Sequence, residues 1–311
     1  MANIKELSAL PTRLCGGHRL CGGCGASIAV RQALMGAGDS PVVCGSATGC
    51  LEVSTTVYPY SSWNGPFIHN AFANAGATMS GVEAAFKGLK RAGKIPEDAD
   101  IKFCAFGGDG GTYDIGFQSL SGAMERGHNM VYVCYDNGAY MNTGIQRSSA
   151  TPKGAWTTTA EVGKVQQGKT QRRKDLTSIM AAHHIPYAAQ ASISDWRDLT
   201  TKAEKAFNVD GPAFLNVLAP CPRGWRIKSD ATIEVARLGV ETGFWPLFEI
   251  ENGKWSMKPV KNRKPLEEFL KPQGRFKHLF KPGNEDLLAE LQRDCDEYYA
   301  YVEQMCQVTA D

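Results

Sequence analysis

No apolar run in this chain is long enough to span a bilayer, and no apolar leader opens it, since Met1-Ala-Asn-Ile-Lys-Glu is polar and charged. Neither export nor a membrane partner is expected, and a cytoplasmic location is. Charge of one sign is scarce too. Against 34 Lys and Arg stand 32 Asp and Glu, a formal net charge of +2, so nothing general points to nucleic acid. Internal repeats and low-complexity segments are absent. The P-loop pattern G-x-x-x-x-G-K-[ST] does not occur, so any phosphate site has to be built without its lysine. Histidine is sparse, with six residues. His128, His183, His184 and His278 read as structural or exposed, and His18, just ahead of a cysteine pair, as a shield for whatever those cysteines hold.

What is present is enough apolar material for a large core, 43% of 311 residues. The most informative stretch runs from Gly107 to Gly144. Lys102 to Phe106 reads as a short buried strand, Gly107-Gly108-Asp109-Gly110-Gly111 follows it, Ile115 to Met124 repeats apolar residues at helical spacing, and Met130 to Tyr135 is a second strand. The connection has crossover length, so the two strands should be parallel neighbours. Their ends, Asp109 and Asn137, then meet at one sheet edge, where open α/β sheets bind ligands. A hard cation such as Mg2+ takes a few protein oxygens and completes its shell with phosphate. Asp109 offers a carboxylate, Asn137 an amide oxygen and Ala139 a backbone carbonyl. Gly108, Gly110 and Gly111 let backbone amides approach phosphate oxygens with no Cβ in the way. A dinucleotide reading is weighed against this, because Gly108-Asp109-Gly110 opens a helix and Asp136 ends the next strand. The third glycine of G-x-G-x-x-G falls on Tyr113, however, and an aspartate in the middle would repel a pyrophosphate unless a cation intervened.

Ten cysteines without a small disulfide framework fit a reducing compartment. Four lie in glycine- or proline-rich segments at strand ends or helix starts: Cys21 and Cys24 in Cys-Gly-Gly-Cys-Gly, Cys50 after Thr48-Gly49, and Cys221 in Pro-Cys-Pro. Four thiolates converging at one sheet edge suit a [4Fe-4S] cluster, with zinc in a closed four-cysteine site as the alternative. Cys44, Cys104 and Cys134 read as small apolar strand fillers. Cys15, Cys295 and Cys306 have no evident partner.

The segments HRLCGGCGAS, ATGCLEVSTTVYPY, FIHNAFANAGATMSGVEAA, FGGDGGTYDIGFQSLSGAMERGH, VYVCYDNGAYMNTGIQRSSATP and LAPCPRGW together resemble the β subunits of the pyruvate:ferredoxin oxidoreductases, the thiamine-diphosphate-dependent 2-oxoacid:ferredoxin family. The resemblance spans roughly residues 12 to 245. It implies that Asp109, Asn137 and the Ala139 carbonyl hold Mg2+ and through it the diphosphate of thiamine diphosphate, and that Asn142 faces the substrate. It further implies that Thr48, Gly49, His69, Tyr140 and Thr143 line the cofactor region and that Cys21, Cys24, Cys50 and Cys221 hold the cluster. His69 reads equally as a packed, hydrogen-bonded histidine. Many thiamine enzymes end this fingerprint in two asparagines, whereas this chain has Asp136-Asn137; only the second position is a ligand. The implied reaction joins a 2-oxoacid with coenzyme A, releases CO2 and sends electrons through the cluster to ferredoxin; pyruvate is the first choice, and the 2-oxoisovalerate and oxalate enzymes of the same family are the alternatives. The carboxylate that activates the thiamine is implied to lie on an α subunit. Glu52 and Glu83 are the nearest acids by motif, but neither is a convincing substitute. Further γ and δ subunits with additional clusters are expected as well. A non-oxidative thiamine enzyme, or a zinc-stabilised subunit without catalysis, would each leave one of the two groups idle.

The expected fold is a doubly wound α/β domain with a mostly parallel sheet of the thiamine-diphosphate-binding type. Helix and strand units are expected at 175–182, 186–190, 195–207 and 213–218. The cofactor and cluster domain is drawn at 1–245. The C-terminal extension, 246–311, is expected to pack on it or on a partner subunit and to carry no chemistry. Thr151 to Lys174, ending in Gln-Arg-Arg-Lys, reads as a long surface excursion, first a solvated basic loop and second a contact for a partner subunit or an acidic ferredoxin.

Overall fold

Consecutive apolar residues give strands buried on both faces, which is what a parallel sheet covered by helices requires. In the computed structural model, which describes residues 3–310, eight such strands form one sheet. Met1, Ala2 and Asp311 lie outside the described residues, so the opening of the polar leader segment is not among them. The strands are β1 (Val42–Ala47), β2 (Phe67–Asn70), β3 (Lys102–Gly108), β4 (Val131–Asp136), β5 (Tyr187–Ser192), β6 (Ala213–Leu218), β7 (Leu247–Glu251) and β8 (Lys254–Lys258). Their order is β2-β1-β3-β4-β6-β5-β7-β8, parallel throughout except for β7 and β8. The expected doubly wound, mostly parallel α/β sheet is therefore present.

Alternate residues of the central strands feed two cores. Cys104, Phe106, Val131, Val133 and Tyr135 join a core that includes the helix Gly25–Met35, while Phe103, Ala105, Tyr132 and Cys134 join one that includes the helices Ala75–Arg91 and Phe117–Glu125. Cys104 and Cys134 are fully buried strand fillers. No helix among the described residues is long and apolar enough to cross a membrane.

Register decides what shares an edge. Gly108 pairs with Tyr135 and Asp136 with Leu218, while Ser46 pairs with Phe106. The next residues of each strand therefore come out side by side: Thr48 to Cys50, Asp109, Asn137 to Ala139, and Ala219 to Cys221. The strand order reverses between β1 and β3, and ligand crevices of open sheets form at such a point.

Several expectations change. The strand expected at Pro41 to Cys44, ahead of Cys50, continues to Ala47 as β1, and Gly110–Asp114 winds as a π-helical turn before the helix from Phe117, a wider turn after Asp109 than the apolar spacing indicates. β2, not expected as a strand, forms one edge of the sheet. The segment Thr151 to Lys174 is only in part a surface excursion: most of 161–167 is exposed, but its two flanks turn inward. Thr151, Ala155, Thr157, Ala160 and Lys169 are buried. Its polar backbone is satisfied by a local bracket, Gly154 N donating to Lys169 O at 2.8 Å and Lys169 N to Ala155 O at 3.1 Å, and such pairing leaves no apolar period to read. β7 and β8 extend the sheet as an antiparallel hairpin, and the helix Glu285–Val308 packs on them through Tyr298 and Val302.

Candidate functional site

Asp109 leaves the end of β3 fully buried, with Ser148 Oγ donating to its Oδ2 and Asn137 N to its Oδ1 at 3.3 Å. Burial, and then the charge of nearby Asp136, push its carboxyl up to about 8. Burial disfavours its charged form, and a cation set against it would favour that form. The Asn137 side-chain amide stands 2.9 Å from both Asp109 Oδ1 and the Ala139 carbonyl oxygen. With no cation present its nitrogen would turn inward and donate to both. With its oxygen inward, three oxygens of the residues proposed as ligands face one centre, and that donor set suits Mg2+.

Asp136 points away from that centre. Its Oδ2 accepts from Tyr113 Oη at 2.7 Å and pairs with Arg173 at 2.6 Å, while its Oδ1 accepts from Gly138 N at 3.1 Å. Tyr113 Oη also accepts from Asn216 and Arg173, both at 2.7 Å. The Arg173 guanidinium is held over the Trp245 ring at 4.4 Å. This residue of the supposed basic loop is thus the counter-charge of a buried acid. Replacing Arg173 by Met should strand the Asp136 charge beside Asp109 and cost about 3–5 kcal/mol, as breaking a buried pair does. Urea unfolding of the purified chain measures it, and a change below about 1 kcal/mol would show the pair to be incidental.

Ten of the residues assigned to the cofactor line one cleft: Thr48, Gly49, Gly108, Gly110, Gly111, Asn137, Ala139, Tyr140, Asn142 and Thr143, with Cys50 among them. Asp109 lies directly beneath. The cleft holds only about 30 Å³, because the Tyr140 ring covers Gly110. A Cβ on Gly110 would stand 2.3 Å from that ring. The turn that carries this ring has Tyr140 N donating to Gln146 O at 2.9 Å and Ile145 at φ +64°. His69 does not line this cleft. It is exposed on β2, its Nδ1 3.2 Å from Glu52 Oε1. Glu83 is held by Lys87 and by His128 at 2.9 Å, at the opposite edge where β4 begins, so it is far from this chemistry.

The four cysteines stand beside the cleft. Cys24 caps the helix Gly25–Met35, Cys50 begins the helix Cys50–Thr55, and Cys221 caps the turn Pro222–Trp225. Two close approaches lock the loops together. Gly25 N donates to the Pro220 carbonyl at 3.2 Å, and a Cβ on Gly25 would lie 2.7 Å from Ala219, so only glycine fits. Thr232 Oγ1 binds the Gly23 carbonyl at 2.6 Å. Cys21 is exposed and the other three are half-buried. Burial raises the Cys24, Cys50 and Cys221 thiols, Cys50 to about 12, and the cysteines raise one another: Cys50 feels Cys221, Cys24 and Cys21. Gly224 N donates to Cys221 Sγ at 3.3 Å. Among the described residues no three His, Cys, Asp or Glu stand at the spacing of a single-ion site. A four-iron core takes one thiolate per iron, and four cysteines supply that donor set in chemistry.

Sequence reasoning missed the supports. Ser148, Arg173, Tyr113 and Trp225 hold the site from behind, the last by donating from Nε1 to the Asn137 carbonyl at 2.5 Å. The tail, expected to carry no chemistry, delivers a buried guanidinium, Arg275, beside Gly138. Of the four supports only Arg173 lies outside the motifs quoted above; Tyr113, Ser148 and Trp225 sit within them.

Comparison with known proteins shows the family. The family model described as "Thiamine pyrophosphate enzyme, C-terminal TPP binding domain" matches residues 47–217. The pyruvate synthase subunit PorB of Thermotoga maritima is 55% identical over 300 residues, 95% of this chain and 92% of that one. The ketoisovalerate oxidoreductase subunit VorB of Pyrococcus horikoshii is 48% identical over 274 residues, 87% of each. A 2-oxoglutarate:ferredoxin oxidoreductase from Magnetococcus marinus, solved with 2-oxoglutarate, coenzyme A and succinyl-CoA bound, shares the fold at TM-score 0.56 and 21% identity over 76% of this chain and 81% of that one. The chain belongs to the β-subunit family of the thiamine-diphosphate-dependent 2-oxoacid:ferredoxin oxidoreductases, the family of the pyruvate synthase PorB subunits.

Proposed function

We propose that this chain is the subunit of a pyruvate:ferredoxin oxidoreductase that holds the diphosphate of thiamine diphosphate through Mg2+ and carries a [4Fe-4S] cluster on Cys21, Cys24, Cys50 and Cys221. The observation that carries this reading is Cys50, which lines the cleft with Asn137 and Ala139 and also stands in the field of the other three cysteines. Asp109, Asn137 and the Ala139 carbonyl hold the metal. The amides around Gly108, Gly110 and Gly111 meet the phosphate oxygens, Thr48, Gly49, Tyr140 and Thr143 wall the cofactor, and Asn142 orients the substrate. Bound thiamine diphosphate supplies a carbanion for the 2-oxo carbon and a ring that takes up the electron pair released with CO2. The balance is pyruvate and coenzyme A giving acetyl-CoA, CO2, one proton and two electrons, which leave singly for ferredoxin. The activating glutamate comes from an α subunit, and γ and δ subunits carry the remaining clusters.

Replacing Cys21, Cys24, Cys50 or Cys221 singly by Ser should remove or badly destabilise the cluster, whereas Cys104→Ser, inside β3, should leave iron and sulfide unchanged. Full iron and sulfide in all four variants would exclude the assignment, and zinc in their place would favour a structural site. The complex purified anaerobically with its native partners should reduce ferredoxin or a dye with pyruvate and coenzyme A. A preference for 2-oxoisovalerate would instead align it with the VorB relative.

A further inference from the structure

Arg275 has no visible reason to be where it is. It is 2% exposed, in the turn Gly274–Phe280 of the tail. Its guanidinium lies 3.9 Å from the Trp225 ring and its Nε donates to Gln273 Oε1 at 2.9 Å, but its Nη2 is buried with no partner. Nη1 lies 2.8 Å from where a Cβ on Gly138 would be. Arginine is almost never buried this deeply without an opposite charge, since the loss of hydration is not repaid. The groups near enough to act on it when ionised are Asp136, Asp109 and Cys221. The first already has Arg173, and the second faces the metal centre. Cys221 remains. It caps the turn Pro222–Trp225, and the ring under Arg275 ends that turn. A four-iron core with four thiolates carries net negative charge, which grows by one on reduction, and such charge sets its potential along with hydrogen bonds and solvent exposure.

We propose that Arg275 is the counter-charge of the cluster, a positioning residue whose guanidinium, with Nη2 left without a hydrogen-bond partner, stabilises the reduced over the oxidised state and so raises the reduction potential. The inference rests on the cluster assigned under Proposed function. The test is an anaerobic redox titration of the assembled complex, followed by electron paramagnetic resonance, on the wild type, Arg275→Met and Arg275→Lys. Met keeps the apolar stem over Trp225 and Lys keeps the charge. The Met variant should make the cluster at least tenfold harder to reduce at a fixed poise, a shift of about 59 mV to the negative for one electron. Lys should recover most of the shift, with iron content and Mg2+–thiamine diphosphate affinity within about twofold of wild type in both. An unchanged potential in a Met variant that retains its cluster overturns the proposal. So does a fall in cofactor affinity at constant potential, which would assign the guanidinium to the diphosphate. A wild-type complex with no cluster signal from this chain would instead overturn the underlying assignment, so the two failures are told apart.

Discussion

Asp109→Ala should abolish binding of Mg2+ and thiamine diphosphate in the assembled complex while the chain still folds. Side chains that merely orient a metal ligand are worth about 10–100-fold in affinity, and Asp109 would be the sole charged ligand, so a loss well beyond about a hundredfold is expected. The fold should survive because the carboxyl is a burden there without a cation: burial and Asp136 already push it up to about 8. Removing it frees Ser148 Oγ and Asn137 N, at about 1–3 kcal/mol for each donor left unsatisfied, and relieves the repulsion with Asp136. Calorimetric titration with Mg2+ and cofactor gives the affinity and thermal unfolding gives the stability. Affinity within about tenfold of wild type would remove the metal centre from this position.

The second large effect concerns incompleteness. The isolated chain, supplied with Mg2+, thiamine diphosphate, coenzyme A and an electron acceptor, should turn over no 2-oxoacid, and adding the partner subunits should restore the reaction. Thiamine activation needs a carboxylate at the pyrimidine, and neither local candidate is free to serve. Glu52 is occupied by His69 and Thr56, at 3.2 and 3.1 Å, and Glu83 is held by Lys87 and His128 at the wrong edge of the sheet. Turnover by the chain alone at a rate near that of the complex would mean that one of these acids does the activating, with Glu52→Gln and Glu83→Gln the variants to assay first.

The sheet edge was legible because it rests on short-range rules. A crossover of fixed hand between two apolar runs brings Asp109 and Asn137 together across 28 positions, and glycine or proline beside each of the four cysteines marks them as loop residues. What was not legible is long-range pairing of charge. Nothing in Gln171-Arg172-Arg173-Lys174 separates Arg172, exposed and paired to Asp294 and Glu297, from Arg173, turned inward to Asp136. The distinction comes from Trp245 and Phe244, whose rings roof Arg173 from 71 positions away or more. Arg275 hides the same way, in a tail with weak periodicity.

The hairpin at the end of the sheet bears on solubility. β5 is buried along its whole length, and without β7 its backbone would present an unpaired apolar rim, the kind of template on which chains stack edge to edge. β8 closes that rim with exposed Lys254, Ser256 and Lys258, the last anchored to Asp195 at 2.5 Å. Lysines on an outermost strand are a recurrent guard against intermolecular strand pairing. A chain shortened to residue 245 would lose both strands and should aggregate, however well its metal ligands were kept.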